Sequence, residues 1–275
     1  EIHEFWGNQL STPAVFNNNA GWIEDTTHNC HHYVTANYEP FTTEEVSNVI
    51  KELHNWKSPG PDGVQNFWLK KFWSIHECLS TLINHVISNP QELPSFLTQG
   101  TTYLIPKDQN NTQDPSKYRP ITCLPTLYKL VTSCVTRRIY QHCALNNIIE
   151  RQQKGCAKGS MGCKEQLIID SVISKQAYSK KRNLFTAFIN YKKAFDSVPH
   201  EWLIDILRIY KVDDNIVTFL QHIMTEWKTR IHLQIPGENN IETENIAISR
   251  GLFQGYSLSP LWFCLAMNPL SQVLN

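Results

Sequence analysis

Three features that would take the protein out of the ordinary globular class are missing from its sequence. No apolar run is long enough to cross a bilayer, and the N-terminal residues lack the pattern of a signal peptide. The eight cysteines have no regular spacing, so we expect reduced thiols rather than a disulfide framework. We therefore expect an intracellular protein, nuclear or cytoplasmic, that is not secreted and has no membrane partner.

A net charge is also missing, because 25 Lys and Arg residues balance 25 Asp and Glu residues. The two signs are nevertheless segregated along the chain. Residues 101–193 contain 16 basic and 5 acidic side chains, a net charge of +11, and the remainder carries −11. A basic block of this size is typical of a phosphate-binding surface. The alternative is a solvated face with scattered ion pairs.

One short cluster contains residue types that bind metal ions, namely His28, Cys30, His31 and His32. Their spacing is tighter than the two to five intervening residues of structural zinc sites, and no second pair follows. We therefore do not expect a zinc site there.

Periodicity and punctuation predict a mixture of helices and strands. Thr42 and Glu45 form a capping box, with Phe41 and Val46 placed as a hydrophobic staple, so a helix begins at Thr42. It ends before the Pro-Gly loop at 58–63, which alone would be a plain helix–helix connector. The first 40 residues carry little signal. Further helices are predicted at about 67–87, 126–143, 164–178, 200–210, 215–228 and from 259, and strands at 101–106, 119–124, 229–235 and 241–249.

The stretch Leu184–Trp202, with the sequence LFTAFINYKKAFDSVPHEW, organises the rest of the chain. Its apolar run, Leu184 to Ile189, predicts a buried strand, and polar residues begin at Asn190. A strand of this kind ends by placing polar side chains where active sites often form. The alternative is an ordinary strand followed by a turn and a helix that starts near Pro199.

Four stretches in order resemble the reverse transcriptases of non-LTR (LINE-type) retrotransposons. The first two are KSPGPDG at 57–63 and YRPI at 118–121 with Leu124-Pro125. The third is the stretch Leu184–Trp202, which matches motif A, and the fourth is RGLFQGYSLSPL at 250–261, which matches motif B. The resemblance implies an α+β fold with the fingers and a partial palm of a right-hand polymerase and a helix-rich N-terminal part. It implies an N-terminal extension over 1–40, a fingers-like region over 41–182 and a palm-like region over 183–275 that is truncated before motif C.

The resemblance also assigns roles to individual residues. Lys107 and Arg119 would approach the triphosphate of the incoming nucleotide, and Arg119 has the planar fork that binds phosphate oxygens in pairs. Phe195 would be the steric gate that selects deoxynucleotides, and Gln254 would lie near the nucleotide sugar. The template strand would be bound by the Gly-rich basic loop containing Lys154, Lys158 and Gly159. For Lys107 and Arg119 the alternative is that both are exposed hairpin charges.

The match fails at the metal site. The family binds Mg²⁺ or Mn²⁺ through one Asp of motif A and an Asp-Asp pair of motif C. Asn190 occupies the motif A position, and an amide brings no negative charge to a hard cation. Asp196, about 20 Å further along an extended chain, is interpreted as a turn or cap residue. The only adjacent pair, Asp213-Asp214, lies between two predicted helices, and Tyr256 replaces the Asp usual in motif B.

We therefore expect a fragment of an RNA-directed DNA polymerase that is catalytically inactive, with no intact metal site. The family's partners are an RNA template, a DNA primer or target, and a deoxynucleoside triphosphate. Two alternatives are a non-catalytic nucleic-acid-binding remnant and a decayed element without function. Because the first residue is Glu1 rather than Met, we expect a piece of a longer reading frame.

Overall fold

The computed structural model describes residues 2–107, 114–155, 159–233 and 240–274. These ranges form an α+β structure whose N-terminal third is helical, as the sequence predicts. The helices are α1 (Ile2–Ser11), α2 (Gly21–Asn29), α3 (Thr43–Glu52), α4 (Asn66–Lys71), α5 (His76–Ser88), α6 (Thr126–Leu145), α7 (Cys163–Ser179), α8 (Ala194–Ser197), α9 (His200–Ile209), α10 (Asp214–Thr225) and α11 (Leu258–Leu274). The strands are β1 (Gln99–Pro106), β2 (Tyr118–Cys123), β3 (Lys228–Leu233), β4 (Ile241–Glu242) and β5 (Ile246–Ala247).

The described strands form one mixed sheet with the order β2-β1-β3, and β4 and β5 share the far side of β3. The predicted hairpin is confirmed, since β1 and β2 are antiparallel with Thr102 opposite Thr122. β1 runs parallel to β3, while β4 and β5 are two short antiparallel pieces of one interrupted return strand. Between them, the Thr243 hydroxyl accepts from Ile231 N at 3.0 Å and so bridges the interruption. The predicted loop at Pro236-Gly237 lies outside the described residues.

Two local predictions for the helical part have different outcomes. The capping box is present, because the Thr42 hydroxyl accepts from Glu45 N and Glu45 Oε2 accepts from Thr42 N. The single helix predicted over 67–87 is wrong. The structure has α4, a 3₁₀ turn at Trp73–Ile75, and α5. The break is stabilised by the buried His76, whose ring bonds to the Leu69 carbonyl at 2.9 Å and to the Ser47 hydroxyl at 2.8 Å.

Helices α6, α9, α10 and α11 supply about half of the hydrophobic core, and tryptophans connect two of them. Trp262 Nε1 donates to Leu203 O at 2.7 Å, and Trp202 Nε1 donates to Ala266 O at 3.0 Å, which joins α9 and α11 twice. Each indole N–H thus keeps a partner while its ring stays buried, which removes the cost of burying a polar group. Of the helices in the described ranges, none has both the length and the apolar character needed to span a bilayer.

The first 40 residues, from which little was predicted, belong to this core. Trp6 is fully buried, and Leu10, Cys30 and Tyr33 are buried with it. Helix α1 lies beside β5, and Ser249 N donates to Leu10 O at 2.8 Å. The first 40 residues therefore contribute to the core, and α1 packs beside the sheet at β5.

The strand predicted over Leu184–Ile189 is wrong. Residues 182–191 are irregular and exposed, and the ring of Phe188 is 87% exposed. Helix α7, which precedes this stretch, is confirmed as a helix but has no buried residue. We call residues 184–191 the motif A segment.

The physical reason for the missing strand lies in the neighbouring strands. A strand obtains its backbone hydrogen bonds from strands beside it rather than from its own residues. In the described sheet, both sides of β1 and of β3 are already paired. Near the candidate site, Thr122 N of β2 donates to Gln254 O at 3.1 Å, and α1 takes the backbone N–H of Ser249 beyond β5. The inner strands therefore offer the motif A segment no edge, and the outer edges near the site are partly taken.

Candidate active site

The chain re-enters the core directly after the motif A segment, at the turn formed by Lys193 and α8. Lys193 has a left-handed backbone conformation, with φ 50° and ψ 46°, and its carbonyl accepts from Asp196 N at 3.0 Å. This turn carries Asp196 into a buried position. Asp196 is thus the carboxylate that the motif A region delivers to the interior.

The loop that resembles motif B packs against this turn. Gly251 N donates to Val198 O at 2.8 Å, and Leu252 N donates to Phe195 O at 2.9 Å. Gly251 has φ +75°, and a Cβ atom there would lie 2.7 Å from Asp196 Cα. Only glycine allows this approach without displacing the backbone, so the two motifs are locked together at Gly251.

Asp196 and Gln254 form the polar centre of this contact. Gln254 Nε2 donates to Asp196 Oδ1 at 2.9 Å, while the Gln254 backbone carbonyl is held by Thr122 of β2. The cavity that both residues line has a volume of about 20 Å³, roughly the space of one water molecule. The arrangement fixes the Gln254 amide but leaves no nucleotide-sized space beside the carboxylate in this part of the described structure.

Positive charges surround this pair. Burial raises the pKa of Asp196, while the hydrogen bond from Gln254 and the charges of Lys193, Lys107 and Arg250 oppose the rise. Burial also lowers the pKa of Lys193, and Asp196 opposes that shift. Several cations close to one buried carboxylate leave a local excess of positive charge, which favours an anionic ligand.

Helix α1 covers the same site from the other side. The Lys193 ammonium lies 4.5 Å from the centroid of the Phe5 ring and 5.1 Å from that of Trp6, in cation–π geometry. Arg250 Nε donates to Gln9 O at 2.7 Å, and Lys193 Nζ donates to Gln9 Oε1 at 3.4 Å. Two of the cations near Asp196 are therefore oriented by the N-terminal helix.

The residues expected near the nucleotide are partly brought together. Arg119 lies opposite Ile105 in the hairpin, and Lys107 N extends the pairing by donating to Lys117 O at 2.8 Å. The period of two along each strand puts Lys107 and Arg119 on the same face, and both are exposed. Phe195 is half-buried and stacks on Phe263, with ring centroids 4.3 Å apart. Its ring is engaged with α11.

The residues expected at the template are less available. Lys154 Nζ forms an ion pair with Glu165 Oε2 at 2.9 Å, so its charge is compensated by the first turn of α7. Gly159 is exposed and has φ +82°. Lys158 lies outside the described residues.

The basic block as a whole is only partly free. Besides Lys154, Arg138 forms a two-pronged pair with Glu45, and Arg137 pairs with Glu52. In the described part of the block, no ion pair engages Lys107 or Arg119. The basic residues of α6 therefore form scattered ion pairs, as the alternative interpretation of the basic block expects. Lys107 and Arg119 of the hairpin keep an uncompensated positive charge.

The residues present do not fit the divalent metal site that the family resemblance implies. Asn190 lies in the exposed motif A segment, and Asp196 is buried against Gln254. Asp213 Oδ1 accepts from Asn215 N and Ile216 N, so that carboxylate caps α10. Across the described ranges, no group of three His, Cys, Asp or Glu side chains could share a metal ion. Hard cations require several oxygen ligands with negative charge, and this donor set does not supply them.

Two features of the site were not predicted from the motifs. The Asp196–Gln254 contact joins residues 58 positions apart, and no local pattern signals such a pairing. Helix α1 did leave a signal, since Ile2, Trp6 and Leu10 recur every four residues and so share one helix face.

The sequence of the chain also matches known proteins. The family model described as reverse transcriptase (RNA-dependent DNA polymerase) matches residues 105–275. The chain is 28% identical over 234 residues to the retrovirus-related Pol polyprotein from type-1 retrotransposable element R2 of Nasonia vitripennis, covering 84% of this chain and 21% of the relative. It is 29% identical to the corresponding R2 polyprotein of Popillia japonica, covering 85% of this chain and 30% of the relative.

A third relative is the probable RNA-directed DNA polymerase from transposon X-element of Drosophila melanogaster. It is 26% identical, over 85% of this chain and 25% of the relative. The chain thus spans between a fifth and a third of the length of these three relatives. The family match covers more than half of the chain, and the relatives come from non-LTR retrotransposons. The chain therefore belongs to the reverse transcriptase family, in its non-LTR retrotransposon branch.

Proposed function

We propose that this chain derives from an enzyme that copies RNA into DNA but does not itself add nucleotides. The observation that carries the proposal is the position of Asn190, an amide in an exposed segment outside the sheet. The parent activity would use an RNA template, a DNA primer or target and a deoxynucleoside triphosphate, in the nucleus or cytoplasm. If the missing carboxylate costs ~5 kcal/mol at the transition state, the rate falls by roughly three to four orders of magnitude.

We further propose that residues 41–182 correspond to fingers and 183–275 to part of a palm, with residues 1–40 as an N-terminal addition. The exposed face of the β1–β2 hairpin, with Lys107 and Arg119, supports the first assignment. The contact of the α8 turn with the loop containing Gln254 supports the second. The two regions share one sheet, because β1 pairs with β3.

A primer-extension assay tests the loss of catalysis. We expect no nucleotide addition by this chain with Mg²⁺ or Mn²⁺ on an RNA template annealed to a DNA primer. We also expect none from Asn190→Asp, because one restored carboxylate in an exposed segment does not assemble a metal site. An active reverse transcriptase in the same reaction controls for the substrates. Clear primer extension by the parent chain would overturn the proposal.

A second function, nucleic-acid binding without chemistry, is favoured by the uncompensated hairpin charge. Lys107 and Arg119 are exposed on one face, and Lys107, Lys193 and Arg250 lie close enough to Asp196 to act on its pKa. A phosphate backbone is the polyanion that such a surface binds, with an affinity that falls as salt rises. We propose that this surface holds an RNA–DNA hybrid.

Titration of a labelled RNA–DNA hybrid at increasing salt tests this binding. We expect the double variant Lys107→Gln/Arg119→Gln to weaken binding and to reduce the slope of log K against log salt by roughly one to two. Lys51→Gln, an exposed charge on α3, is the matched control and should leave the slope unchanged. Binding without salt dependence, or an unchanged slope in the double variant, would contradict the assignment. No affinity at all would favour a decayed sequence without function.

A further inference from the structure

A line of aromatic rings lies on the surface beside the Pro-Gly loop. We call Trp56, Phe67, Trp68 and Phe72 the aromatic ladder. Trp56 stacks on Phe67 with centroids 5.0 Å apart and an interplanar angle of 14°, and Trp68 stacks on Phe72 at 5.6 Å and 14°. Phe67 and Trp68 meet edge to face at 5.3 Å. The ladder is thus one continuous run of ring contacts.

Three of the four rings of the ladder are exposed, and Phe67 is half-buried. The exposed fractions are 71% for Trp56, 49% for Trp68 and 52% for Phe72. Leu69, on the same helix α4, is 4% exposed and supplies the contact with the core. A contiguous apolar patch that the fold does not use is typical of a binding surface.

The backbone that carries the ladder is fixed by hydrogen bonds. Asn66 Nδ2 donates to His54 O at 2.8 Å, and Phe67 N donates to Asn55 O at 3.3 Å. These bonds tie the start of α4 to the turn that follows α3. The rings on α4 are therefore held in position beside Trp56, and little ordering is needed when a ligand arrives.

The charge around the ladder is positive. Between His54 and Trp73 the chain has three lysines, Lys57, Lys70 and Lys71, and one carboxylate, Asp62. Lys71 Nζ lies 5.5 Å from the centroid of the Phe67 ring. The Asp62 carboxylate already accepts two hydrogen bonds from the protein backbone, from Val64 N at 3.2 Å and from Thr126 N at 3.0 Å. The ligand that matches this surface is therefore anionic.

Residues next to the ladder in the chain line a large cleft. A cleft of about 750 Å³ between α3, α6 and the loop after Gln254 is lined by His54, Lys57 and Lys129. Lys57 follows Trp56 directly in the chain, so one lysine beside the ladder faces the cleft. Burial lowers the pKa of Lys129, whose ammonium donates to Ser58 O at 2.8 Å.

We propose that the aromatic ladder binds a single-stranded nucleic acid, with bases stacked on its exposed rings and phosphates paired with Lys57, Lys70 and Lys71. Every base has a π face, so stacking of this kind tolerates any sequence, and lysines beside the rings hold the backbone. The lysines favour a nucleic acid over a protein partner, because they match a repeating anion. This site is separate from the β1–β2 hairpin, and it goes beyond the hybrid binding proposed above.

Fluorescence anisotropy with a labelled single-stranded RNA of about 12 nucleotides tests the proposal. The variant is Trp68→Ala/Phe72→Ala in the full chain, and both rings are exposed, so folding should survive; circular dichroism checks this. We expect the Kd to rise at least about 5-fold with the salt slope unchanged, because stacking releases no counterions. Phe96→Ala, an equally exposed ring outside the ladder, is the matched control and should keep the parent Kd.

The other outcomes are decisive too. A Kd within about twofold of the parent, or an equal loss in Phe96→Ala, overturns the proposal. A changed oligomeric state with an unchanged Kd overturns it as well and assigns the ladder to a protein interface. If the parent chain does not bind single-stranded RNA, the proposal fails, while the hybrid titration with Lys107→Gln/Arg119→Gln still decides hairpin binding independently.

Discussion

Helix α1 and the motif A segment are both short and apolar, and they have opposite fates. Trp6 of α1 is fully buried, whereas Phe188 of the motif A segment is 87% exposed. A helix makes its own backbone hydrogen bonds, so its apolar face can dock on any suitable surface. A strand needs a partner for those bonds. The comparison teaches that apolar character predicts burial only when the backbone can also be satisfied.

The same contrast between α1 and the motif A segment is found at the candidate site. α1 orients Lys193 and Arg250 through Phe5, Trp6 and Gln9, so a helix that carries no motif supports the site. The segment that carries Asn190 is exposed and is not a strand of the described sheet. On the function proposed above, the carboxylate missing at Asn190 and the missing strand lie in the same segment.

The largest expected effect comes from removing the buried Trp6 ring of α1. We expect Trp6→Ala to lower the free energy of unfolding by about 3–5 kcal/mol, because a large fully buried ring is replaced by a cavity. Phe188→Ala is the matched control and should change it by less than about 0.5 kcal/mol. Urea unfolding followed by circular dichroism measures both. Equal destabilisation by the two variants would remove the distinction between the two regions.

The second largest expected effect is the pH dependence of stability that arises from His200, which lies where the chain becomes buried again after the motif A segment. His200 Nε2 lies 2.9 Å from Gly251 O, and its ring meets Trp227 edge to face. Burial lowers its pKa from 6.5 to about 4, although the bond to Gly251 opposes the shift. The unfolded chain takes up the proton at higher pH. The contribution of His200 to the free energy of unfolding is therefore complete above about pH 6.5. It falls by about 3 kcal/mol as the pH drops towards 4.

His200→Gln tests this assignment, because the glutamine amide can still donate to Gly251 O but does not titrate. We expect its unfolding free energy to fall less than that of the parent between pH 6.5 and 4, as measured by urea denaturation at several pH values. An unchanged pH dependence in the variant would place His200 in water and move the boundary of the exposed region.

The smallest effect concerns Asp196. Its pKa is raised, chiefly by burial, so it contributes stability that is present below its unfolded pKa and lost as the pH rises through its folded pKa. Asp196→Asn keeps an oxygen acceptor for Gln254 and removes the buried charge. We expect the variant to be more stable than the parent at pH 7, with the difference vanishing in acid. Urea denaturation at pH 3 and pH 7 measures it, and a less stable variant at pH 7 would show that the surrounding cations outweigh burial.

Much of the fold could be predicted because its signals are local. The capping box at Thr42, the hairpin around Lys107 and Arg119 and the long helix α6 all follow from neighbouring residues. The family also follows from its four ordered motifs. In each case the physical cause, a cap, a turn or an apolar face, lies within a few residues of the element that it forms.

The remainder depends on contacts between distant residues. The break at Phe72 between α4 and α5 is held by His76 bonding to Ser47 on another helix. The absence of the strand at Leu184–Ile189 depends on which edges of the sheet are already occupied. The fixed position of Gln254 depends on Asp196 and on Thr122, which lie far from it in the chain. Periodicity along one stretch of chain contains none of this information.

Limited proteolysis with chymotrypsin tests the central claim most directly, because both regions contain its preferred aromatic sites. We expect the first cuts after Phe185, Phe188 or Tyr191, with the bonds after Phe5 and Trp6 resistant until the protein unfolds. Exposed, irregular backbone fits a protease, whereas a docked helix must first open. Resistance of the motif A segment combined with early cleavage of α1 would contradict the claim, because that segment would then lie inside the fold and α1 outside it.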